Sequence, residues 1–400
     1  MNSSAAESVA EEKPRQSPLR TRWLKFRRDT LAFIGLVVVI LLLTQSLAAP
    51  LLANGRPLLL FREGSLTFPF LHFFFAPDSS EFLVEQVCNY LLPVLPLWLL
   101  CRRFIRSWRT RCTVLIVLAG LWLLPFALVQ RRMDKTDWRT IAAGLKAHEW
   151  AVFAPVPYGP FEQTAAPFLK SSRQHWLGTD QVGRDVLSRM IYGSRVSLAV
   201  GFLATGLAIF IGVMLGMWSG YEGGRCDMMM MRIVEIIICF PTFLLLLILM
   251  SLFMDRGFKQ SILIVIGVIG LTGWTGLCRL ARGEVLKLRN LPYIQSCVTL
   301  GVPTWRILLF HLLPNITGPI LVSFTFGIAG AIEAESGLSF LGFGVQPPTA
   351  SWGELLRQAF DNPFEYWHLT LWPGLALFVT VCAFNFTGEG LRKVFDPRAK

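Results

Sequence analysis

Residues 31–53 run for 23 positions without a charged side chain, and residues 366–388 do the same near the other end of the chain. About 20 apolar residues in a helix cross the ~30 Å hydrocarbon core of a bilayer. Lipid offers no partner to a backbone N–H or C=O, so such stretches fold as helices rather than as loops or open strands. Further apolar runs at 196–218, 233–254, 261–278 and 316–332 bring the strong spans to six. The run at 233–254 is interrupted by Glu235 and Pro241, and the one at 316–332 ends at Glu333 and Glu335. Composition agrees, because 53% of residues are hydrophobic and only 16% charged, against about 25% charged in a soluble domain. The expected fold is an all-α polytopic membrane protein. Two weaker runs, 82–101 and 112–130, form an extra hydrophobic hairpin, the first holding Glu85, Pro93 and Pro96.

The net charge of +12 would suit a nucleic-acid partner, but the basic residues cluster beside apolar runs. That is the signature of a basic cytoplasmic side. Arg20, Arg22, Lys25, Arg27 and Arg28 put the N-terminus inside, and the basic stretch after residue 388 puts the C-terminus there too. Residues 1–19 are polar and expected to be disordered. The SLAA sequence before Pro50 imitates a signal-peptide cleavage site, but the run is too long for a signal core of about 7–15 residues. Arg102, Arg103, Arg106, Arg109 and Arg111 lie between the two weak runs and return to the cytoplasm if both cross. Arg131, Arg132 and Lys135 would then lie outside, so a hairpin resting on the outer surface is the alternative. Residues 54–81 and 133–174 are expected to be extracytoplasmic loop. Eight cysteines are scattered without a CxxC pair, and the five histidines do not cluster. Neither a disulfide framework nor a metal site is expected.

One polar island interrupts this apolar pattern. Residues 291–314, LPYIQSCVTLGVPTWRILLFHLLP, are helix-patterned, with Leu291, Ile294, Cys297 and Val298 on one face. Asn290 suits an N-cap and Pro292 the first turn. Gly301 is placed to stop the helix in a left-handed cap. A second helical pattern follows Thr304 and meets Pro314. A helix of about ten residues is marginal alone. Its contact surface belongs to another protein, to the lipid interface or to the rest of the chain. Motifs narrow the choice. The chain contains no Gly-Lys pair, hence no GxxxxGK[ST] phosphate loop, and neither GxSxG nor HExxH. It is not expected to be an enzyme or to carry a cofactor. If nucleotide drives it, the engine is a separate subunit that touches the largest cytoplasmic loop between spans, 279–315.

That loop resembles the coupling loop of ABC importer permeases, whose pattern is Glu-Ala-Ala, three residues, Gly, nine residues, Ile, one residue, Leu-Pro. This chain has Gln295, Ser296, Cys297, then Gly301, His311, Leu313 and Pro314 in that register. Gln295 loses the charge of the pattern, whereas Ser296 and Cys297 keep the small volume. His311 before Leu-Leu-Pro-Asn is similar to the peptide and nickel subfamily. The block HWLGTDQVGRDVLSRMIYGSRVSL (175–198), GYEGGRCD ending at Asp227, ESGLSFLGFGVQPPTASWGELL (335–356) and FNFTGEGLRKVFDPR (384–398) resemble its other signatures. Dense resemblance covers residues 174–398, and 19–53 resembles the first span more loosely. The stretches GRPLLLFREGSLTFPF and WAVFAPVPYGP are similar to the outer loop of permeases for peptide-linked antibiotics. The hairpin is not part of the family pattern.

The resemblance implies a second-permease-type subunit of the oligopeptide/dipeptide/nickel subfamily, working by alternating access in a bacterial inner membrane. Implied partners are a homologous second permease, two ATPase subunits, an extracytoplasmic substrate-binding protein, a peptide substrate and lipid, with no nucleic acid. The implied organisation is a cytoplasmic tail (1–30), a first transmembrane helix (31–53), an outer loop (54–174) carrying the hairpin (82–130), a core of five transmembrane helices (175–391) with the coupling loop (279–315), and a cytoplasmic tail (392–400). Together these make a six-helix ABC importer permease core plus the extra two-helix hairpin. Implied ATPase-coupling residues are Tyr293, Gln295, Ser296, Cys297, Gly301, Arg306, His311, Pro314 and Asn315, with Arg306 and Asn315 bracing the short helix. Gly178, Thr179, Asp180, Gly183, Arg184 and Asp185 would form an outer gate or a binding-protein contact, or be a solvated capping segment with an exposed Asp180–Arg184 pair. Glu235, inside an apolar span, is expected to pair with Arg232 at its end rather than relay protons. An ion-driven secondary transporter is the competing class, and a membrane scaffold without transport a third. The secondary transporter needs ionisable residues deep in several spans, for which only Glu235, Glu333 and Glu335 stand as candidates.

Overall fold

The structure, a computed structural model, describes residues 18–75, 82–104, 107–128, 136–146, 148–255 and 262–395. The expectations for 1–17, for Arg106, for Arg131, Arg132 and Lys135, and for the last five residues lie outside the described residues. Elements follow in chain order as α1 (Pro18–Arg28), α2 (Thr30–Leu47), α3 (Ala49–Leu52), β1 (Leu59–Arg62), β2 (Ser65–Thr67), α4 (Pro69–Phe75), α5 (Phe82–Phe104), α6 (Trp108–Leu128), α7 (Trp138–Ala143) and β3 (Trp150–Val152). Then come α8 (Val186–Glu222), α9 (Gly224–Ile238), α10 (Thr242–Asp255), α11 (Ile262–Leu288), α12 (Pro292–Thr299), α13 (Thr304–Arg306), a π-helical turn (Ile307–Leu312), α14 (Leu313–Phe340), α15 (Trp352–Gln358) and α16 (Trp367–Phe395).

Among the described residues, five helical runs are long and apolar enough to cross a membrane: α2, α8, α11, the continuous stretch Thr304–Phe340, and α16. Helices α9 and α10 make a sixth only if taken together, because they bend by 82° at their break. The apolar run 233–254 is thus not one straight helix. Pro241 lies at the break, where it lacks an N–H and crowds the preceding turn. The 14 residues of α10 alone reach only ~21 Å.

Helix α8 is the central rod. It packs along α11, where a side chain at Gly212 or Gly216 would collide with the carbonyl oxygens of Trp274 and Cys278. The two glycines therefore let two backbones touch, as small residues do between helices in lipid. On the other side α14 and α16 close the bundle, and α2 lies against α16. Asp29 caps α2 by accepting from Ala32 N (3.2 Å) and holds Lys393 of α16 at 2.7 Å.

The segment before α8 departs from the expected loop. Strands β2, β1 and β3 form a small antiparallel sheet, with Leu60 opposite Thr67 on one side and Ala151 on the other. These strands are only three or four residues long, too short for alternation to mark them. The hairpin folds as two helices, α5 and α6, in contact with each other. The start of α5 is anchored: Val84 is buried in the same cluster as Val196, Val200 and Met250, and buried Asn89 donates to Phe74 O (2.7 Å). Further along, Ile116, Val117 and Leu121 of α6 are exposed.

Candidate functional site

The two ends of α8 define the two ends of the molecule, because 37 helical residues extend ~55 Å. At the C-terminal, basic end, Arg289 Nη1 donates to Gly220 O (3.0 Å) and so closes an open carbonyl of α8. Arg282 Nε donates to Asp227 Oδ1 (2.9 Å), tying α11 to α9. The partners of these two arginines lie 55 and 69 residues away in the sequence.

The short helix α12 sits at this end. Its N-cap is Leu291, extended at φ −72° and ψ 144°, not Asn290. The reason is Pro292, which pushes the residue before it out of the helical region. At the other end Gly301 is left-handed at φ +72°. Its N–H donates to Val298 O and that of Val302 to Cys297 O, both at 3.0 Å. These two bonds are the Schellman pattern, which satisfies the last carbonyls of a helix. No atom lies within 4 Å of where a Gly301 Cβ would be, so backbone conformation alone calls for glycine.

Only Ile294 of α12 is fully buried, against a cluster that includes Met217, Val285, Ile307 and Leu312. Cys297 is half-buried beside it. Gln295 Nε2 donates to Arg289 O (3.0 Å), a bond that a glutamate could not make, and Ser296 Oγ donates to Pro292 O (2.9 Å). Asn315 is the brace: its Nδ2 donates to Tyr293 Oη (3.2 Å) and to His311 O (2.6 Å). Arg306 instead lies exposed over the ring of Trp305. The helical pattern that meets Pro314 does not end there. The chain widens into the π-turn, with Leu313 N bonded to Leu308 O, and Pro314 falls in the first turn of α14. The wider turn makes room for the ring, which in a regular helix crowds the carbonyl four residues back. Tyr293, Val298, Leu300 and Trp305 stay exposed, Leu300 at 80%.

At the opposite end the residues before α8 are buried, not solvated. Gly178 and Gly183 are both left-handed at φ +84° and fold the segment back on itself. Asp180 Oδ1 accepts from the N–H groups of Val182 and Arg184, each at 2.9 Å, and Oδ2 from Arg184 Nε at 2.7 Å. The Asp180–Arg184 pair is therefore a buried turn contact rather than a surface pair on a helix. Arg189, fully buried, stands between two carboxylates, Asp180 at 3.2 Å and Glu354 at 2.7 Å. Its Nη1 also donates to Pro160 O and Pro348 O (3.2 Å each). Burial, reinforced by Arg189, pulls the Arg184 guanidinium below its ordinary pKa.

Asp185 caps α8 through Ser188 N (2.8 Å) and holds His175 Nδ1 at 2.9 Å. Burial pushes its carboxyl above the usual range, against these two partners, which favour the ionised form. Thr179 accepts from Leu169 N (2.8 Å) and its carbonyl meets His368 Nε2 of α16 (3.1 Å). These residues pin three chain segments together. The sequence supplied Asp180, Arg184 and Asp185 but not Arg189, His368 or Glu354, whose use depends on contacts up to 189 residues apart.

Glu235 lies on the surface of α9, its Oε2 2.8 Å from Arg232 Nη1 and both side chains exposed. Between the two ends, helices α8, α11 and α14 enclose a cavity of about 520 Å³ with α10 at its side. Thr205, Thr272, Gly273, Gly276, Ser323 and Gly327 line it beside larger apolar side chains such as Leu246, Ile269 and Phe326.

Residues 212–400 match the family described as the binding-protein-dependent transport system inner membrane component. Residues 17–60 match the N-terminal transmembrane domain of oligopeptide transport permease C. The chain is 37% identical to the dipeptide transport system permease protein DppC of Bacillus subtilis, over 74% of this chain and 85% of that protein. It is 35% identical to the oligopeptide permease OppC of Haemophilus influenzae, over 80% and 95%. With the inner membrane ABC transporter permease protein YejE of Escherichia coli it shares 32% identity over 96% of this chain and 98% of the other, a span that includes the α5–α6 hairpin. Taken with the helical bundle and the capped helix α12, these likenesses place the chain in the family of permease subunits of binding-protein-dependent ABC importers.

Proposed function

We propose that this chain is one of two homologous membrane subunits of an ATP-driven peptide importer in a bacterial inner membrane. The observation that carries this is the surface of α12. One side chain, Ile294, seats it on the bundle, while Tyr293, Val298 and Leu300 remain exposed beside a tightly capped end. Such a helix, anchored below and apolar above, suits the groove of a separate ATPase subunit. Two ATPases closing on ATP would then push both permeases' short helices and swing the cavity from inward- to outward-facing, toward a loaded binding protein. The peptide cargo is drawn from the dipeptide and oligopeptide permeases named above. The basic end is cytoplasmic in this scheme, with both termini, by the positive-inside rule.

The energy source is the direct test. Uptake of a radiolabelled dipeptide by cells that keep their ATP is expected to survive an uncoupler. Uptake that collapses with the proton gradient at constant ATP would instead make the chain an ion-driven transporter. Topology has its own test at Ser107, exposed just before α6. With both helices crossing, Ser107→Cys reacts with a membrane-impermeant maleimide only after permeabilisation. Labelling in intact spheroplasts would leave the hairpin on the outer surface.

A further inference from the structure

Glu335 lies about four-fifths of the way along α14 and is completely buried. Among the described residues no lysine, arginine or histidine pairs with it. Its partners are hydroxyls: Ser339 Oγ donates to Oε1 (2.8 Å), and Ser197 Oγ (3.2 Å) and Ser336 Oγ (3.3 Å) donate to Oε2. Ser351, the N-cap of α15, also faces it. A serine hydroxyl has one hydrogen to give. Ser339 Oγ already accepts from Val345 N (3.0 Å) and Ser351 Oγ from Glu354 N (3.1 Å). Both therefore keep their hydrogens free to turn toward the carboxylate, at which α8, α14, the loop 341–351 and the start of α15 meet.

The packing around it is close. A side chain at Gly344 would strike Ser339, and one at Gly353 would strike Ser336. Trp352, buried beside Ser351, donates from Nε1 to Met190 O of α8 (3.1 Å). Three residues beyond Ser351, Glu354 holds Arg189 and through it Asp180. The chain of polar contacts thus runs from inside the bundle to the segment before α8. The same helix begins, through the π-turn, at Thr304 next to α12.

We propose that Glu335 is a positioning residue that fastens the loop 341–351 and α15 to α14, so that a push on α12 travels along one helix and moves the outer mouth with it. This rests on the coupling role given to α12 above. Glutamine at this position would keep the shape but lose half of the acceptor capacity that these hydroxyls use. Ser351→Ala removes the hydroxyl that faces the carboxylate and caps α15, and leaves the carboxylate in place.

The test uses the assembled complex in proteoliposomes, with a single reporter cysteine, Leu341→Cys, at an exposed position of the outer loop. Maleimide labelling is compared with and without vanadate-trapped nucleotide, alongside peptide uptake per ATP hydrolysed. In the unsubstituted complex, trapping is expected to change the labelling rate severalfold. In Glu335→Gln that response flattens and uptake per ATP falls ~10-fold, within the range carried by coupling between distant sites, while ATP hydrolysis continues. Ser351→Ala shows the same flattening to a smaller degree and decides the matter if Glu335→Gln does not assemble. A labelling response retained in both variants overturns the proposal alone. No nucleotide response even in the unsubstituted complex removes the coupling reading and this proposal together.

Discussion

Gly301→Val is expected to cut ATP-driven uptake by at least ~10-fold while leaving the protein in the membrane, whereas Gly301→Asn keeps most of it. The φ of +72° costs an L-residue roughly 1–2 kcal/mol, and a β-branched one more, while asparagine visits this region readily. Because nothing stands within 4 Å of the position, the two side chains differ in backbone preference and not in fit. An eight-residue helix has little stability of its own with which to absorb that cost. It frays from its C-terminal end, and Val298 and Leu300 lose their fixed place. A loss of ~1.4 kcal/mol in docking already means tenfold. Uptake and co-purification of the ATPase subunits, measured in both variants, check this. Equal uptake in valine and asparagine variants would show that the shape of α12 does not matter to transport.

The second large effect belongs to Arg189. Arg189→Ala leaves Glu354 buried without its cation and Asp180 with Arg184 alone. Removing one partner of a buried ionic group costs ~3–5 kcal/mol, because the remaining charge stays desolvated. The variant is expected to reach the membrane in reduced amount and to unfold at clearly lower temperature in detergent, read by scanning fluorimetry. Arg189→Lys rescues only in part, since an ammonium cannot reach two carboxylates and two carbonyls from one planar fork. Arg232→Ala is the control. Its pair with Glu235 is exposed on both sides, and such pairs contribute ~0–1 kcal/mol. An Arg189→Ala protein as stable as Arg232→Ala would mean that the far end of the bundle does not depend on this cluster.

Much of this was legible in residue order. The apolar runs named the spans, because a backbone in lipid has almost no alternative to a helix. The glycine after α12 named its own conformation. Boundaries slipped where a neighbour outweighed the local signal. Pro292 moved the N-cap from Asn290 to Leu291, and Pro241 turned one apolar run into two helices bent by 82°. The helical pattern met Pro314, and the π-turn before it let the helix continue. Glu335 was expected at a span end and lies inside the bundle, where Ser197, 138 residues away, joins Ser336 and Ser339 around it.

By itself, then, the sequence determined the class of fold, the short capped helix and the family to which the chain belongs, since these follow from local conformational limits and from the solvent. What only the tertiary structure decided is how charges are used. Asp180, Arg189, Glu354 and Glu335 carry no local pattern that separates a solvated group from a buried clasp. The difference arises only when segments more than a hundred residues apart are packed together and water is gone, so that each charge must find its partner inside the protein.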